Sequence, residues 1–182
     1  MSDFWVFGYG SLMWRPGFEH VETRKARLFG YHRALCITSH IHRGTVERPG
    51  LVLGLDRGGS CLGLAFRVAG SQRDEVMAYL RARELITNVY HEKMLPLRLD
   101  AGEAVQAITY VVDRRHEQYA GALDLDSAAE RISGARGMSG PNVDYVLNTL
   151  NHLQTLGIRD PWLEGVVARL SAEALTDPRP TP

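Results

Sequence analysis

The apolar positions of this 182-residue chain have strand-like spacing in the first two thirds and helical spacing near the end. Short runs of aromatic and β-branched residues, bounded by glycines and polar residues, are typical of β-strands. Residues 26–37 predict a pair of strands interrupted at Gly30, and two runs joined by RGGS predict a hairpin. The predicted strands are 4–8, the pair within 26–37, 51–56, 61–68 and 104–113.

Three other segments carry an apolar residue at every third or fourth position, which is typical of amphipathic helices. Segment 71–84 opens with Ser71 and has an aspartate three residues later, a variant of the capping box. Segment 142–156 has five apolar residues at helical spacing, and 160–170 opens with Asp160 as a cap before a proline. Strands followed by helices, with one helix between, favour an α+β fold in which helices pack around a mostly antiparallel sheet or a small barrel.

Composition changes this picture little. A chain of 20.3 kDa with 45% hydrophobic residues is large enough to bury a core, and we expect a single domain over residues 1–175. The end of the chain, TDPRPTP, contains three prolines and nothing apolar to bury. We therefore expect residues 176–182 to be a disordered tail.

Charge and cysteine content narrow the cellular setting. Lysine plus arginine equals aspartate plus glutamate, 21 against 21, so no bulk charge attracts nucleic acid or an anionic membrane. No stretch approaches the roughly 18 apolar residues of a membrane span. Two cysteines without a C-x-x-C pair are too few for a secreted disulfide scaffold. We expect a cytoplasmic protein that acts as a monomer, without a nucleic-acid or membrane partner.

The segment GYGSL, residues 8–12, matches none of the familiar glycine-rich motifs. A dinucleotide fingerprint needs a third glycine where Met13 stands, and a P-loop needs Gly-Lys-Ser/Thr. A nucleophile elbow needs G-x-S-x-G, and Tyr9 and Met13 flank Ser11 at those places. Two alternatives stay open: a tight turn that serves the fold alone, or a loop whose backbone N–H groups bind an anion.

A carboxylate also stands at an unusual place. In the helix predicted over 71–84, Glu84 follows Val76, Met77 and Leu80 by eight, seven and four residues, so it projects from the same apolar face. Partial burial would raise the pKa of this carboxyl group toward the range of a general base that works near neutral pH. The alternative is that the helix ends there and Glu84 turns to solvent or pairs with an arginine.

Metal-ligand patterns are missing from the sequence. His40 and His42 share a strand face without a carboxylate or cysteine at ligand spacing, and neither His-Glu pair continues into H-E-x-x-H. We therefore expect no metal site at these histidines.

Three stretches, in this order along the chain, carry a family resemblance: VFGYGSLMWRPGF, HRGTVERPGLVLGLDRGGSCLGLAFRV and EVMAYLRARELITNVY. Together they resemble the ChaC-type γ-glutamylcyclotransferases, over about residues 4–156. The resemblance implies a small mixed β-barrel with flanking helices. It also implies an enzyme that cleaves its small-molecule substrate, reduced glutathione, into 5-oxoproline and cysteinylglycine without cofactor or metal.

The same resemblance assigns site residues. The family's catalytic glutamate falls on Glu84, and its substrate-binding loop falls on Tyr9, Gly10, Ser11 and Leu12. Two further substrate-binding tyrosines fall on Tyr90 and, within SGPNVDYV, on Tyr145. Two alternatives to this function remain open: an enzyme that acts on other γ-glutamyl amines, and a module that binds a γ-glutamyl compound without turnover. For the loop RISGARGMSGP, a lid over the site and a plain connection both remain open.

Overall fold

The computed structural model describes residues 2–170. Five strands close a barrel in the order β1, β3, β2, β4, β5. The strands are β1 Phe4–Gly8, β2 Glu22–Ser39, β3 Gly50–Val68, β4 Tyr90–Leu99 and β5 Ala104–Val112. The helices are α1 Arg73–Glu84, α2 Leu125–Ser133, α3 Asn142–Thr155 and α4 Pro161–Val167. Two-residue strands β6, Arg136–Gly137, and β7, Gly140–Pro141, form a small separate ladder.

The barrel is mixed because β1 has two different neighbours. It runs antiparallel to β3, with Phe4 opposite Val68, and parallel to β5, with Trp5 opposite Ala107. The α+β class and the mixed barrel are therefore confirmed.

Two strand predictions were wrong in detail. Residues 26–37 do not form a strand pair, because β2 runs without a break through Gly30, whose φ of +84° lets the strand bend. The predicted hairpin at 51–68 is the single strand β3, in which Gly58 and Gly59 have φ of +102° and +67°. The Nδ1 of His32 in β2 donates to the Gly58 carbonyl (2.9 Å), so this bend is held against β2.

The helix predictions hold better than their caps. Ser71 does not cap α1, because it lies inside a short 3₁₀ turn, Gly70–Gln72, whose first N–H donates to the Asp3 carboxylate (3.2 Å). Asp160 does cap α4, since its side chain accepts from the backbone N–H of Leu163 (3.1 Å). The sequence analysis missed α2 and β4.

The described chain divides into two compact units. The first contains residues 2–34 and 53–119 and has a buried apolar cluster contributed by β1, the GYGSL segment, β3, α1 and β5. The cluster consists of Phe4, Val6, Leu12, Val68, Val76, Met77, Leu80, Ile108 and Tyr110.

The second unit contains residues 35–52 and 120–170. Here the fully buried Asn142, at the start of α3, accepts from the backbone N–H of Leu51 (2.7 Å) and donates to its carbonyl (2.8 Å). The single domain expected over residues 1–175 stays a prediction. The tail expected at 176–182 lies outside the described residues. Across residues 2–170, no helix has the length and apolar character needed to cross a membrane.

Candidate active site

The last turn of α1 places a carboxylate at the end of a buried face. Val76, Met77 and Leu80 are at most 7% exposed, and the Glu84 side chain, one turn after Leu80, is 18% exposed. Burial raises the pKa of Glu84, and the nearby charge of Arg83 only partly opposes that rise. The predicted position of Glu84 on the buried face is confirmed, and the alternative of pairing with an arginine holds as well.

Arg83 connects this carboxylate to the loop after β1. Its Nε lies 3.2 Å from a carboxylate oxygen of Glu84, and Nη2 donates to the hydroxyl of Ser11 (2.8 Å). Its Nη1 donates to the Arg15 carbonyl (2.8 Å) and to the Tyr79 hydroxyl (2.9 Å). One guanidinium group therefore joins the candidate base to the GYGSL segment.

The GYGSL segment is fixed from both ends. The buried Arg33 donates to the Tyr9 carbonyl (2.6 Å) and to the Leu62 carbonyl (2.7 Å), which holds the start of the loop against β3. At the other end, Leu12 lies in the same buried cluster as Leu80 of α1. The loop then continues into a short helical turn, Ser11–Met13, in which the Met13 N–H donates to the Gly10 carbonyl (2.9 Å).

Gly17 leaves the space in which the Tyr79 hydroxyl meets Arg83. Its φ is +77°, and a Cβ added there would lie 1.9 Å from the hydroxyl of Tyr79, the same hydroxyl that accepts from Arg83. Only glycine fits both the conformation and the space at this position.

A second arginine–glutamate pair begins two residues earlier on α1. Arg81 binds Glu92 of β4 with two hydrogen bonds of 2.8 Å, and the hydroxyl of Tyr110 donates to the same carboxylate (3.2 Å). These bonds, that from Arg81 above all, lower the pKa of Glu92 even though partial burial opposes them. Burial raises the pKa of Tyr110, and the charges of Glu92 and Glu84 add to that rise.

The two predicted tyrosines belong to different units. Tyr90 opens β4 in the first unit, packs against the buried cluster and donates its hydroxyl to the Leu53 carbonyl (2.7 Å). Tyr145 lies on α3 in the second unit, where the guanidinium carbon of Arg43 stands 5.4 Å from its ring centroid. Burial lowers the pKa of Arg43.

The loop RISGARGMSGP is tied down within the second unit. It contains β6 and β7 and connects α2 to α3. The N–H of Met138 donates to the Ile41 carbonyl (2.8 Å), and that of Ser139 donates to the His42 carbonyl (2.9 Å). These bonds favour a plain connection over a lid. Among the residues that the structure describes, no group of three or more His, Cys, Asp or Glu side chains is placed to hold a metal ion.

Comparison with known proteins identifies the family. A family model described as ChaC-like protein matches residues 4–173. The chain belongs to the ChaC family. It is 36% identical to the glutathione-specific gamma-glutamylcyclotransferase of Escherichia coli (strain K12), over 95% of this chain and 76% of the relative. It is 34% identical to the glutathione-specific gamma-glutamylcyclotransferase 1 of Homo sapiens, over 90% of this chain and 76% of the relative.

The ChaC fold is also seen in a solved structure. A crystal structure of a gamma-glutamyl cyclotransferase specific to glutathione from yeast superposes with a TM-score of 0.80 at 22% identity. It covers 93% of this chain and 98% of the yeast chain. The family resemblance drawn from the three motifs is confirmed, and so is the fold that it implied.

The principal residue that the sequence analysis missed in this ChaC chain is Arg83. Helical geometry puts residues i and i+4 on one face, so the spacing of Tyr79 and Arg83 contained the signal for one of its contacts. The Ser11 contact carried no local signal, because it joins residues 72 apart in sequence.

Proposed function

We propose that this protein is an enzyme, a γ-glutamylcyclotransferase that degrades glutathione to 5-oxoproline and cysteinylglycine. The observation that carries the proposal is the partly buried Glu84 carboxylate, with its raised pKa, joined through Arg83 to Ser11 of the GYGSL segment. The names of the family relatives support the choice of substrate.

The reaction is an intramolecular acyl transfer. The α-amino nitrogen of the γ-glutamyl group attacks its own γ-carbonyl carbon, which closes a five-membered ring, and the C–N bond to the cysteinyl nitrogen breaks. At neutral pH the α-amine is mostly an ammonium ion and has no free electron pair. Glu84 accepts that proton and passes it to the departing cysteinyl nitrogen. The ring nitrogen loses a second proton as the lactam forms, and the released amine of cysteinylglycine takes up one proton to become an ammonium ion. No covalent enzyme intermediate is needed, and the atoms balance without an added reactant.

Positioning is the other part of catalysis. The nucleophile and the electrophile belong to one molecule, so the enzyme gains most by holding the folded conformer that brings them together. We propose that backbone N–H groups of Gly10, Ser11 and Leu12 bind the α-carboxylate or the oxyanion that develops on the γ-carbonyl. In this proposal Tyr9, Tyr90 and Tyr145 also contact the substrate.

The proposal includes neither metal nor cofactor. In this proposal the protein acts in the cytoplasm, where glutathione is reduced and where the buried thiols of Cys36 and Cys61 stay reduced as well. We propose that the active species is a monomer, which size-exclusion chromatography with light scattering checks directly.

The decisive experiment is a product assay. Purified protein is treated with a chelator and incubated with reduced glutathione, and 5-oxoproline and cysteinylglycine are followed by mass spectrometry. We expect both products in equal amounts. N-acetylglutathione is the matched control, because its blocked amine cannot attack, and it should yield no 5-oxoproline.

Two alternatives are separated by the same assay. Turnover of γ-glutamyl-alanine or another γ-glutamyl amine, without turnover of glutathione, would assign a different substrate. Saturable binding of glutathione without any product would replace the enzyme by a binding module.

A further inference from the structure

Arg83 makes more specific contacts than a surface arginine needs. Its side chain is 22% exposed, and its three nitrogens are all engaged, with Ser11, Arg15, Tyr79 and Glu84 as partners. We propose that Arg83 is a positioning residue, whose guanidinium fastens the loop of residues 10–16 to the end of α1 and fixes the carboxylate of Glu84 beside that loop. This inference rests on the proposed function, in which Glu84 and the GYGSL segment act on one substrate.

The contacts require the shape of a guanidinium group. Its donors form a rigid planar fork, so Nη2 can reach Ser11 while Nη1 reaches the backbone carbonyl of Arg15 and Nε faces Glu84. A lysine has one point charge and can keep the pairing with Glu84, but it cannot span the three directions at once. Charge and shape therefore make separable contributions at this position.

Electrostatics gives the second part of the role. The titratable groups around the Glu84 carboxylate are Arg83 on α1 and Tyr110 on β5, and Glu92 of β4 binds the hydroxyl of the same Tyr110. Of these, Arg83 supplies the positive charge that limits how far burial raises the pKa of Glu84. Without it, the carboxylate that accepts the substrate proton would be formed only at higher pH.

The helix offers a matched control. Arg73 stands at the start of α1, and its guanidinium carbon lies over the ring of Phe4 at 4.9 Å. Eleven residue steps of helix cover about 16 Å from Arg73 to Glu84, so the substitution R73M removes the same charge far from the site. R73M should keep the kinetic constants of the wild type.

The test compares R83M, R83K and R73M by steady-state kinetics across pH. R83M should raise KM, lower kcat/KM about 10- to 100-fold, which is the worth of a lost charged hydrogen bond, and move the acidic limb of kcat/KM to higher pH. R83K should also raise KM, because the fork is lost, yet leave the acidic limb near that of the wild type. A purely structural arginine would lower the melting temperature without moving the limb.

A second variant keeps the test decisive if R83M folds poorly. S11A removes only the hydroxyl that Arg83 holds, and we expect a several-fold rise in KM with the acidic limb unchanged. In the R83M background, S11A should have a much smaller effect, because its partner is already gone. Fully multiplicative effects of the two substitutions would overturn the proposed link.

A readout that needs no turnover separates this inference from the proposed function. Carbon-13 NMR titration of the glutamate side chains, with Glu84 assigned by E84Q, should show a higher pKa of Glu84 in R83M than in the wild type. If the wild type does not cleave glutathione, the proposed function fails and this titration still tests Arg83. Equal titration of Glu84 in both proteins, with unchanged KM, would overturn the role of Arg83.

Discussion

Two arginine–glutamate pairs near the end of α1 differ in the pKa of their carboxyl groups, which is raised in one and lowered in the other. Arg81 and Glu92 form a bidentate pair that also receives the hydroxyl of Tyr110, and the pKa of Glu92 is lowered. Arg83 approaches Glu84 through a single nitrogen, and the pKa of Glu84 is raised. A neighbouring arginine is common to both pairs, so its presence alone does not decide the direction.

The two pairs differ in the groups to which each arginine donates its hydrogen bonds. Arg81 directs Nε and Nη2 at Glu92. Arg83 directs its two Nη groups at Ser11, Arg15 and Tyr79, and its Nε faces Glu84. Burial then dominates at Glu84, and hydrogen bonding dominates at Glu92. Two carboxyl groups whose environments shift their pKa values in opposite directions are typical of sites that use one of them as a base.

Asp56 shows that burial alone is not sufficient. Its side chain is only 4% exposed, less than that of Glu84. Burial by itself would raise its pKa, but hydrogen bonds from Arg114 (2.6 Å) and the Tyr119 hydroxyl (2.8 Å) outweigh that effect, and the pKa of Asp56 is lowered. Glu84 differs because the structure gives it burial with few compensating hydrogen bonds.

The largest expected effect is on turnover. E84Q removes the proton acceptor and keeps the size of the side chain, so kcat should fall by about 10²- to 10⁴-fold while glutathione binding is retained. E92Q, at the other pair, should keep kcat within a few-fold of the wild type. Kinetics measured beside isothermal titration calorimetry check both statements. Turnover of E84Q within a few-fold of wild type would remove Glu84 from the catalytic role.

The next effect concerns the support of Arg83. G17A adds a Cβ where the Tyr79 hydroxyl lies and imposes a left-handed φ on alanine, so we expect a loss of about 1–3 kcal/mol of unfolding free energy and a several-fold rise in KM. Urea denaturation and steady-state kinetics measure the two changes.

Gly102 provides the control for conformation alone. Its φ is +90°, and a Cβ there would meet no atom within 4 Å. G102A should therefore lose only about 1 kcal/mol and keep the wild-type KM. Equal KM values in G17A and G102A would show that Tyr79 does not hold Arg83 in its working position.

The smallest expected effect is on stability, to which Glu84 and Glu92 contribute with opposite dependence on pH. The folded-state pKa of Glu84 is raised above the ordinary value of 4.5, so its stabilising contribution is present below that pH and is lost as pH rises through the folded pKa. The folded-state pKa of Glu92 is lowered from the same 4.5, so its contribution is present above that pH and is lost as pH falls through the folded pKa.

At pH 7 these signs predict opposite changes in stability. E84Q should raise the unfolding free energy by roughly 0.5–1 kcal/mol, because it removes a charged group from a buried place. E92Q should lower it by a similar or smaller amount, kept small because Arg81 is 57% exposed. The E84Q difference should shrink as the pH falls from the raised folded pKa of Glu84 toward 4.5, and the E92Q difference should shrink as the pH falls from 4.5 through the lowered folded pKa of Glu92. Chemical denaturation at several pH values measures both. Equal signs at pH 7 would contradict the contrast between the pairs.

The features that could be predicted from the sequence depend on residues close together along the chain. The place of Glu84 on a buried face follows from helical periodicity, which is fixed within four to eight residues. The bend at Gly58 and Gly59 shows the limit, because RGGS suits a chain reversal and a bent strand equally well. Only the partner strand β2 distinguishes them, through His32, and that pairing has no local signal. The contact between Arg83 and Ser11 was beyond prediction for the same reason.

The parallel pairing of β1 with β5 also orders events during synthesis. Thr109 of β5 donates to the carbonyl of Phe7 in β1 across a sequence separation of 102 residues. Ribosomes add roughly 5–20 residues per second, so the two strands emerge on the order of 5–20 s apart. Throughout that interval, the strand that leads into the GYGSL segment lacks one of its two neighbours. The nascent chain therefore carries Glu84 before β1 and β5 can pair to close the barrel, and we expect activity only after β5 has been made.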